Sequence, residues 1–355
     1  MNILLWNSTD FWVPSYVFND DSYLSWWNLP YFLLVFMAMF TCFWLCFYMT
    51  KVVCEVKKFH GNATYLLACM YASWFECFIG TILILPYKYG VIHLAEPGRI
   101  IEGFENTENY LRLNELNWKC YPILIASFLE WHYVGIVNSG FSCFLLERTL
   151  ATVLFNDYES TSRRKLSIFL IVFHQSYAMF IAVMMFFHVF PLKELLGMNA
   201  FGLVFLIPCL LFLRYYNFRA RTNMRLGKNI TKNSLAAKFQ TEENLRSIIL
   251  AFRIFVIMIF FDIAFLVIIF AAMLKVPGAK YYFQAAEHIV FFGPIFLVPA
   301  VVSTEKNWRK RFLYYVPVNK IRIRPEKLDT TNYQVSTIAE ETTAIHFMQL
   351  QNLWV

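Results

Sequence analysis

The stretch LPYFLLVFMAMFTCFWLCFYMT, residues 29–50, contains no acidic or basic side chain. A helix rises about 1.5 Å per residue, so about 20 apolar residues are enough to cross a hydrocarbon core of about 30 Å. A helix also satisfies its own backbone hydrogen bonds inside lipid, which an open strand cannot do. This stretch therefore predicts a membrane-spanning α-helix.

The composition of the chain extends this prediction to the whole protein. Hydrophobic residues make up 59% of the 355 positions, and charged residues make up only 15%. These polar groups are too few to cover a water-soluble surface, so we expect the protein to lie in a lipid bilayer. The net charge of +7 then reports orientation in the membrane, and we expect no nucleic-acid partner.

Six further apolar runs are also long enough to cross a bilayer, of which the fifth span is the shortest. We therefore predict an all-α membrane protein, a seven-transmembrane helix bundle. The predicted spans are residues 29–50, 63–86, 121–146, 166–190, 196–213, 248–274 and 281–303.

The distribution of basic residues predicts the orientation of this bundle. Connections on one side of the membrane contain nineteen Lys and Arg residues, whereas those on the other side contain seven. Because cytoplasmic loops are enriched in these residues, we expect the amino end outside and the carboxyl end in the cytoplasm. The chain then divides into an extracellular segment (1–28), the transmembrane domain (29–303) and a cytoplasmic juxtamembrane segment and tail (304–355).

Asn7 begins an Asn-Ser-Thr sequence on the predicted outer side, where glycosylation could reach it. A glycan site and a chance match both remain open, because the motif is so short.

Features of the connections and spans suggest further structure. The outer connection, residues 87–120, is polar and could contain a short helix of its own. Residues 233–248 are good helix formers without Pro or Gly, so we expect span six to extend into the cytoplasm. Pro208, Pro294 and Pro299 are natural hinge sites within spans.

Several acidic residues and histidines fall inside the predicted spans, where each ionisable group costs about 2.5–3.5 kcal/mol on insertion scales. Two interpretations remain open: they join helices by hydrogen bonds as neutral acids, or they line a water-filled or ligand-binding cavity. Glu130 and Glu287 would favour an amine ligand if ionised, and would not if protonated. The candidate ligand pocket consists of Glu76, Glu130, His132, Glu287 and His288.

Some of these residues are also types that bind zinc, together with His174 and His188 in the fourth span. Neither an HExxH motif nor a Glu-x-x-His pair is present in the sequence. We therefore expect no metal, no cofactor and no enzymatic activity, and keep an intramembrane metallohydrolase as a weaker alternative.

Glu147 and Arg148 mark the point where span three meets the cytoplasm. Glu242 and Glu243, on the predicted extension of span six, offer Arg148 an anionic partner. Such a salt bridge would hold the inner ends of spans three and six together. The alternative, in which Glu147 alone pairs with Arg148, remains open because exposed ion pairs are weak.

Three motifs then narrow the family. The sequences ERTLATVLFNDYE (147–159), NSLAAKFQTEENLRSI (233–248) and GPIFLVPAVVSTEKNWRKRF (293–312) resemble those of the nematode serpentine receptor class e (Sre) chemoreceptors. The similarity in hydropathy covers the chain up to about residue 312. The resemblance implies a seven-helix receptor in the plasma membrane of ciliated sensory neurons, which binds a small-molecule chemical ligand and acts through a heterotrimeric G protein.

By analogy with rhodopsin-like receptors, the resemblance places Glu147 and Arg148 at the acid-arginine position that gates the G-protein crevice. Other features of that larger class differ. Span seven has Gly293-Pro294 where Asn-Pro-x-x-Tyr is usual, and span two has Glu76 in place of an Asp. Cys120 matches the usual disulfide position, but residues 191–195 of the second outer loop contain no cysteine.

A seven-helix ligand-gated ion channel of the insect odorant-receptor type is the main rival. Those channels have the amino end inside the cell, so orientation distinguishes the two classes. A transporter is a weaker rival because the sequence shows no internal repeat.

Overall fold

The computed structural model describes residues 2–5, 9–15, 17–18, 26, 28–56, 61–94, 101–102, 111–113, 118–153, 164–226, 235–274 and 279–316. Within these ranges the chain forms ten α-helices and five short β-strands. The helices are α1 (Leu29–Glu55), α2 (Gly61–Ala72), α3 (Trp74–Lys88), α4 (Tyr121–Val153), α5 (Arg164–Phe186), α6 (Leu192–Arg225), α7 (Leu235–Met273), α8 (Ala279–Phe291), α9 (Gly293–Thr304) and α10 (Lys306–Tyr315).

The helices account for all seven predicted spans. Six stretches within the described residues are long and apolar enough to cross a membrane: α1, α2 with α3, α5, α6, α7, and α8 with α9. The remaining predicted span, the third, corresponds to α4, which has 33 residues and contains more polar side chains. The prediction of an all-α membrane protein is confirmed.

Helix α4 lies in the interior, which explains its polarity. It contacts α2, α3, α5, α6 and α7, and more than half of its residues are buried. More than half of its side chains therefore face the protein interior rather than lipid, and polar groups can find partners there. Helices at the periphery differ: α6 exposes Phe201, Phe205 and Phe212, as expected for a lipid-facing surface.

Two of the seven spans are interrupted by a turn. The second is divided at Ser73, whose hydroxyl donates to the Cys69 carbonyl, 2.8 Å away, a type of bond that often bends helices. The seventh is divided at Phe292, directly before Gly293 and Pro294. The predicted hinge at Pro294 therefore coincides with a break, whereas Pro208 lies inside the continuous helix α6 and Pro299 inside α9.

Helix bounds differ from the predicted spans mainly at the polar ends. Helix α7 begins at Leu235, which confirms that helical structure extends before span six. Helix α6 has 34 residues, far more than the predicted fifth span, and continues to Arg225. Apolar length alone underestimates a helix that continues past the lipid with polar residues.

Short strands cover one end of the helices. They are β1 (Asn2–Leu5), β2 (Thr9–Trp12), β3 (Val17–Phe18), β4 (Ile101–Glu102) and β5 (Leu111–Leu113). Strand β1 pairs antiparallel with β2 and parallel with β5, and β3 pairs antiparallel with β4. The outer connection could contain a short helix, but its described residues between 101 and 113, which are 101–102 and 111–113, are strands.

The amino-terminal strands are packed onto the transmembrane helices. Ile3, Val13 and Phe18 form one buried cluster with Ile84 of α3 and Ile123 of α4. Strands β1 to β3 are therefore anchored in the same hydrophobic core as the helices.

Helix α10 is attached to the end of α1. The Trp308 indole N–H donates to the Val56 carbonyl at 3.1 Å, and Arg311 Nη2 lies 2.8 Å from Glu55 Oε2. The chain divides into two compact units, Met1–Phe312 and Leu313–Val355, and of the second only residues 313–316 are described.

Candidate ligand pocket and arginine cluster

Glu287 of α8 is the centre of a buried polar group near the amino-terminal strands. The Ser15 hydroxyl donates to Glu287 Oε1 at 3.0 Å. Lys88, the last residue of α3, forms an ion pair with Oε2 of the same carboxylate, and both side chains are largely buried. Burial, together with the nearby Glu287, raises the pKa of Tyr89 to about 12, so its phenol stays neutral. We call Ser15, Lys88, Glu130 and Glu287 the carboxylate cluster.

Glu130 of α4 belongs to this cluster because it interacts electrostatically with other members of it. It is 2% exposed, and its Oε1 accepts a hydrogen bond from Thr81 at 3.4 Å. Lys88 and Glu287 are near enough to act on it electrostatically. A Cβ on Gly80 would lie 2.8 Å from Glu130 Cγ, so a glycine at that position of α3 leaves room for the carboxylate.

The other three predicted pocket residues form two separate pairs. Glu76 Oε2 of α3 lies 2.6 Å from His132 Nδ1 of α4. His288 Nδ1 of α8 lies 3.0 Å from the hydroxyl oxygen of Tyr31 on α1, and its ring stacks on Phe292. The five predicted residues thus join α1, α3, α4 and α8, but each is already engaged within the protein.

The histidines considered as zinc ligands lie apart. His188, in the connection between α5 and α6, pairs with Asp10 at 2.9 Å, whereas His174 Nε2 lies 3.1 Å from the Ile136 carbonyl. No group of three potential ligand side chains suited to a metal ion is found among the described residues.

Lys88 and Ser15 are the members of the carboxylate cluster that the sequence did not predict. Lys88 follows the second predicted span by two residues, which was a possible signal, but its partner lies 199 positions away. Nothing in the sequence indicates that Ser15 approaches Glu287. Asn7, the predicted glycosylation site, lies outside the described residues.

Arg148 is the centre of a second polar group, where α4 ends and α7 begins. Its guanidinium forms a bidentate contact with the carboxylate of Glu147: Nε donates to Oε2, and Nη2 donates to Oε1 at 2.6 Å. Both residues are almost completely buried. The group also includes Glu243, Asn244 and Ser247 of α7, and we call these five residues the arginine cluster.

Arg148 contacts both Glu147 and Glu243, so the alternative in which Glu147 alone pairs with it is wrong. Its Nη1 lies 3.6 Å from Glu243 Oε1 and donates to Ser247 Oγ at 3.1 Å. Glu242 points elsewhere and pairs with Arg221 of α6 at 2.5 Å. Glu147 therefore compensates the arginine within α4, while Glu243 connects that arginine to α7.

A chain of hydrogen bonds extends this group to α6. The Arg148 carbonyl accepts from Thr152 at 2.9 Å, and Thr152 Oγ1 accepts from Asn217 of α6 at 3.2 Å. Polar contacts thus hold three helices together at this end.

The membrane-length helices and the two buried polar clusters define an integral membrane protein of the helical-bundle class. Residues 1–355 match the family model described as "Sre G protein-coupled chemoreceptor". The chain therefore belongs to the Sre family, which is a family of receptors and not of enzymes. The resemblance seen in the sequence is confirmed.

Three relatives from Caenorhabditis elegans illustrate the similarity. Serpentine receptor class epsilon-37 is 27% identical over 100% of both chains. Serpentine receptor class epsilon-38 is 26% identical over 99% of this chain and 100% of its own length. Serpentine receptor class epsilon-31 is 26% identical over 98% of each chain.

Proposed function

We propose that this protein is a chemosensory G-protein-coupled receptor, which binds an external small molecule within the helix bundle and activates a heterotrimeric G protein. The observation that carries the proposal is the ion pair between Arg148 of α4 and Glu243 of α7, in a chain of a G protein-coupled chemoreceptor family. It joins two helices at the end opposite the carboxylate cluster.

The receptor would lie in the plasma membrane with the amino end outside, in the cilia of sensory neurons as the family resemblance implies. The carboxylate cluster then faces the exterior and the arginine cluster faces the cytoplasm. Residues 1–28 would be extracellular, with Asn7 as a glycan acceptor, and residues 304–355 cytoplasmic. The many basic residues on the inner side would attract anionic lipid and an acidic partner surface.

Activation is a shift between two packings of the bundle. The described contacts of Arg148 favour a packing in which α4 and α7 are held together. A ligand that binds a second packing more tightly moves the population toward it, and each difference of about 1.4 kcal/mol is worth roughly tenfold. The opened inner face would then bind the G protein.

Replacing Glu243 with Gln tests this role directly. The amide keeps the shape of the side chain but removes its charge, while Glu147 still compensates Arg148. A pair of this burial contributes about 1 kcal/mol, between the values of exposed and buried pairs, so we expect roughly fivefold more ligand-independent signalling. The measurement is basal nucleotide exchange on each major class of Gα subunit, divided by receptor number at the cell surface.

Glu242→Gln is the matched control, because this neighbouring carboxylate pairs with Arg221 instead. It should leave basal exchange close to that of the unmodified chain. Equal basal exchange in both variants, at equal surface number, would remove the arginine cluster from the mechanism.

A further inference from the structure

The amino-terminal segment from Asp10 to Ser15 enters the end of the helix bundle, and we call it the plug. Loops normally run over a protein surface. Here Trp12 and Val13 are 0% exposed and Ser15 is 2% exposed, so the segment is as deeply buried as the core of the helices.

The plug is held by polar contacts to several parts of the bundle. The carboxylate of Asp10 pairs with His188 between α5 and α6 at 2.9 Å. At its other end, Ser15 donates to Glu287 of α8 at 3.0 Å. Each contact is noncovalent. Because Asp10 to Trp12 also belong to β2, release of the plug requires that β2 separates from β1 or that both strands move together.

The main-chain carbonyl of Trp12 occupies a preformed site for an acceptor oxygen. It accepts hydrogen bonds from Ser127 Oγ at 2.8 Å and from Trp131 Nε1 at 2.7 Å. Both donors lie on α4 and are buried. Two convergent donors in a desolvated position would bind any carbonyl oxygen that replaces this one.

The indole ring of Trp12 fills the apolar part of the same site. Its centroid lies 4.6 Å from that of Trp131, and Ile181 and Met185 of α5 belong to the same buried cluster. The buried indole N–H of Trp12, on Nε1, has no hydrogen-bond partner among the described residues. This unsatisfied donor costs free energy, so a ligand without an N–H group would fit the site better.

We infer that the plug occupies the ligand site, and that the ligand which displaces it is an uncharged carbonyl compound with a flat apolar body. The carbonyl oxygen would take the place of the Trp12 carbonyl, and the apolar body the place of the indole. A cationic amine is disfavoured because Glu287 already faces Lys88 and Glu76 faces His132. This inference rests on the proposed receptor function and names the ligand class of that receptor.

A tethered occupant changes how such a ligand acts. The plug is present at a high effective concentration because it belongs to the same chain. The apparent affinity of the ligand therefore equals its intrinsic affinity multiplied by the fraction of time for which the plug is released. In the structure the plug is bound while Arg148 holds α4 and α7 together, so release of the plug is expected to favour the open packing.

Thiol labelling on intact cells tests the displacement. A Ser15→Cys chain is treated with a membrane-impermeant thiol reagent, and the unmodified chain gives the background. Trp26→Cys is the accessible control, because Trp26 is 79% exposed. We expect fast labelling at position 26, slow labelling at position 15, and at least tenfold faster labelling at position 15 when Trp12 is also replaced with Ala, which removes the whole ring from the site.

Three probes of similar size distinguish the ligand classes. Acetophenone has an aromatic body and a carbonyl oxygen, ethylbenzene lacks the oxygen, and 2-phenylethylamine carries a cation. We expect acetophenone to increase the labelling rate of Ser15→Cys several-fold and ethylbenzene to leave it unchanged, which also controls for effects on the lipid. Replacing Ser127 with Ala should reduce the advantage of acetophenone over ethylbenzene.

Several outcomes would overturn the inference. Equal effects of acetophenone and ethylbenzene would exclude the carbonyl site, and a stronger effect of 2-phenylethylamine would replace the carbonyl class with a cationic one. If Ser15→Cys does not reach the surface, Val13→Cys provides the same readout. If Trp26→Cys is labelled only after permeabilisation, the proposed orientation is wrong. The three probes are then compared in permeabilised cells, where the same labelling rates test the ligand class independently of the orientation.

Discussion

Lys88 and Glu287 place two opposite charges inside the protein, where each would be costly alone. Their side chains are 13% and 1% exposed. A buried ion pair contributes little compared with well-packed apolar residues, but removal of one partner leaves an uncompensated charge. The pair therefore connects the end of α3 to α8.

Replacing Lys88 with Met should destabilise the protein by about 3–5 kcal/mol, because Glu287 then remains buried without its cation. Adding Glu287→Leu should restore much of this loss, since both charges are then gone. The measurement is the temperature at which the detergent-solubilised protein loses half of its folded population.

Lys51→Met is the control for this prediction. Lys51 pairs with Glu55 in α1, but the two side chains are 45% and 33% exposed, so we expect a change within about 0.5 kcal/mol. A Lys88 variant as stable as the Lys51 variant would show that the buried pair does not hold α3 to α8.

At the scale of elements, close packing of α4 against α5 depends on a glycine. A Cβ on Gly135 would lie 2.8 Å from both the Cα and the carbonyl oxygen of Ala178. These are backbone atoms, which cannot move aside as the end of a side chain can. Small residues at such a crossing allow helices in a membrane to approach closely.

Gly135→Ala is therefore expected to destabilise the protein by about 1–3 kcal/mol through overpacking. Gly202→Ala on α6 is the matched control, since a Cβ there meets nothing within 4 Å, and it should be neutral or slightly stabilising. Both are read from the midpoint of thermal unfolding in detergent. Similar midpoints for the two variants would contradict the close contact of α4 with α5.

The positions of the spans could be predicted from the sequence, whereas the helix break at Ser73 and the pairing of the strands could not. Apolar length located all seven spans because lipid imposes this length on every helix, including α4 with its buried polar residues. The break at Ser73 was not predicted, because it depends on a local turn without a proline. Strand β1 pairs with β5, more than a hundred residues further along the chain, and hydropathy contains no information on such a pairing.

In the candidate site, too, some contacts could be predicted from the sequence and others could not. The contact between Arg148 and Glu243 was predictable, since opposite charges stood at the ends of two spans on the same side. The contacts of Glu287 with Lys88 and Ser15 were not, because they require knowledge of which helices and which strand meet. Buried charges can be found in a sequence, whereas their partners depend on packing.

For the whole molecule, orientation decides which cluster would meet the ligand and which would meet the G protein under the proposed function. The connections on the arginine-cluster side contain twelve more Lys and Arg residues than those on the plug side. Each basic residue near an anionic cytoplasmic leaflet is worth about 1 kcal/mol. This excess opposes the inverted orientation, in which the basic connections would have to cross the membrane.

An epitope at the amino end should therefore be stained on intact cells, and an epitope between residues 227 and 234, in the connection from α6 to α7, should be stained only after permeabilisation. Protease added to intact cells should likewise spare that connection, although it contains Lys228 and Lys232. The inverse pattern would place the arginine cluster outside the cell, where no G protein is present. It would also match the orientation of the insect odorant-receptor channels, so this one measurement separates the receptor from its main rival.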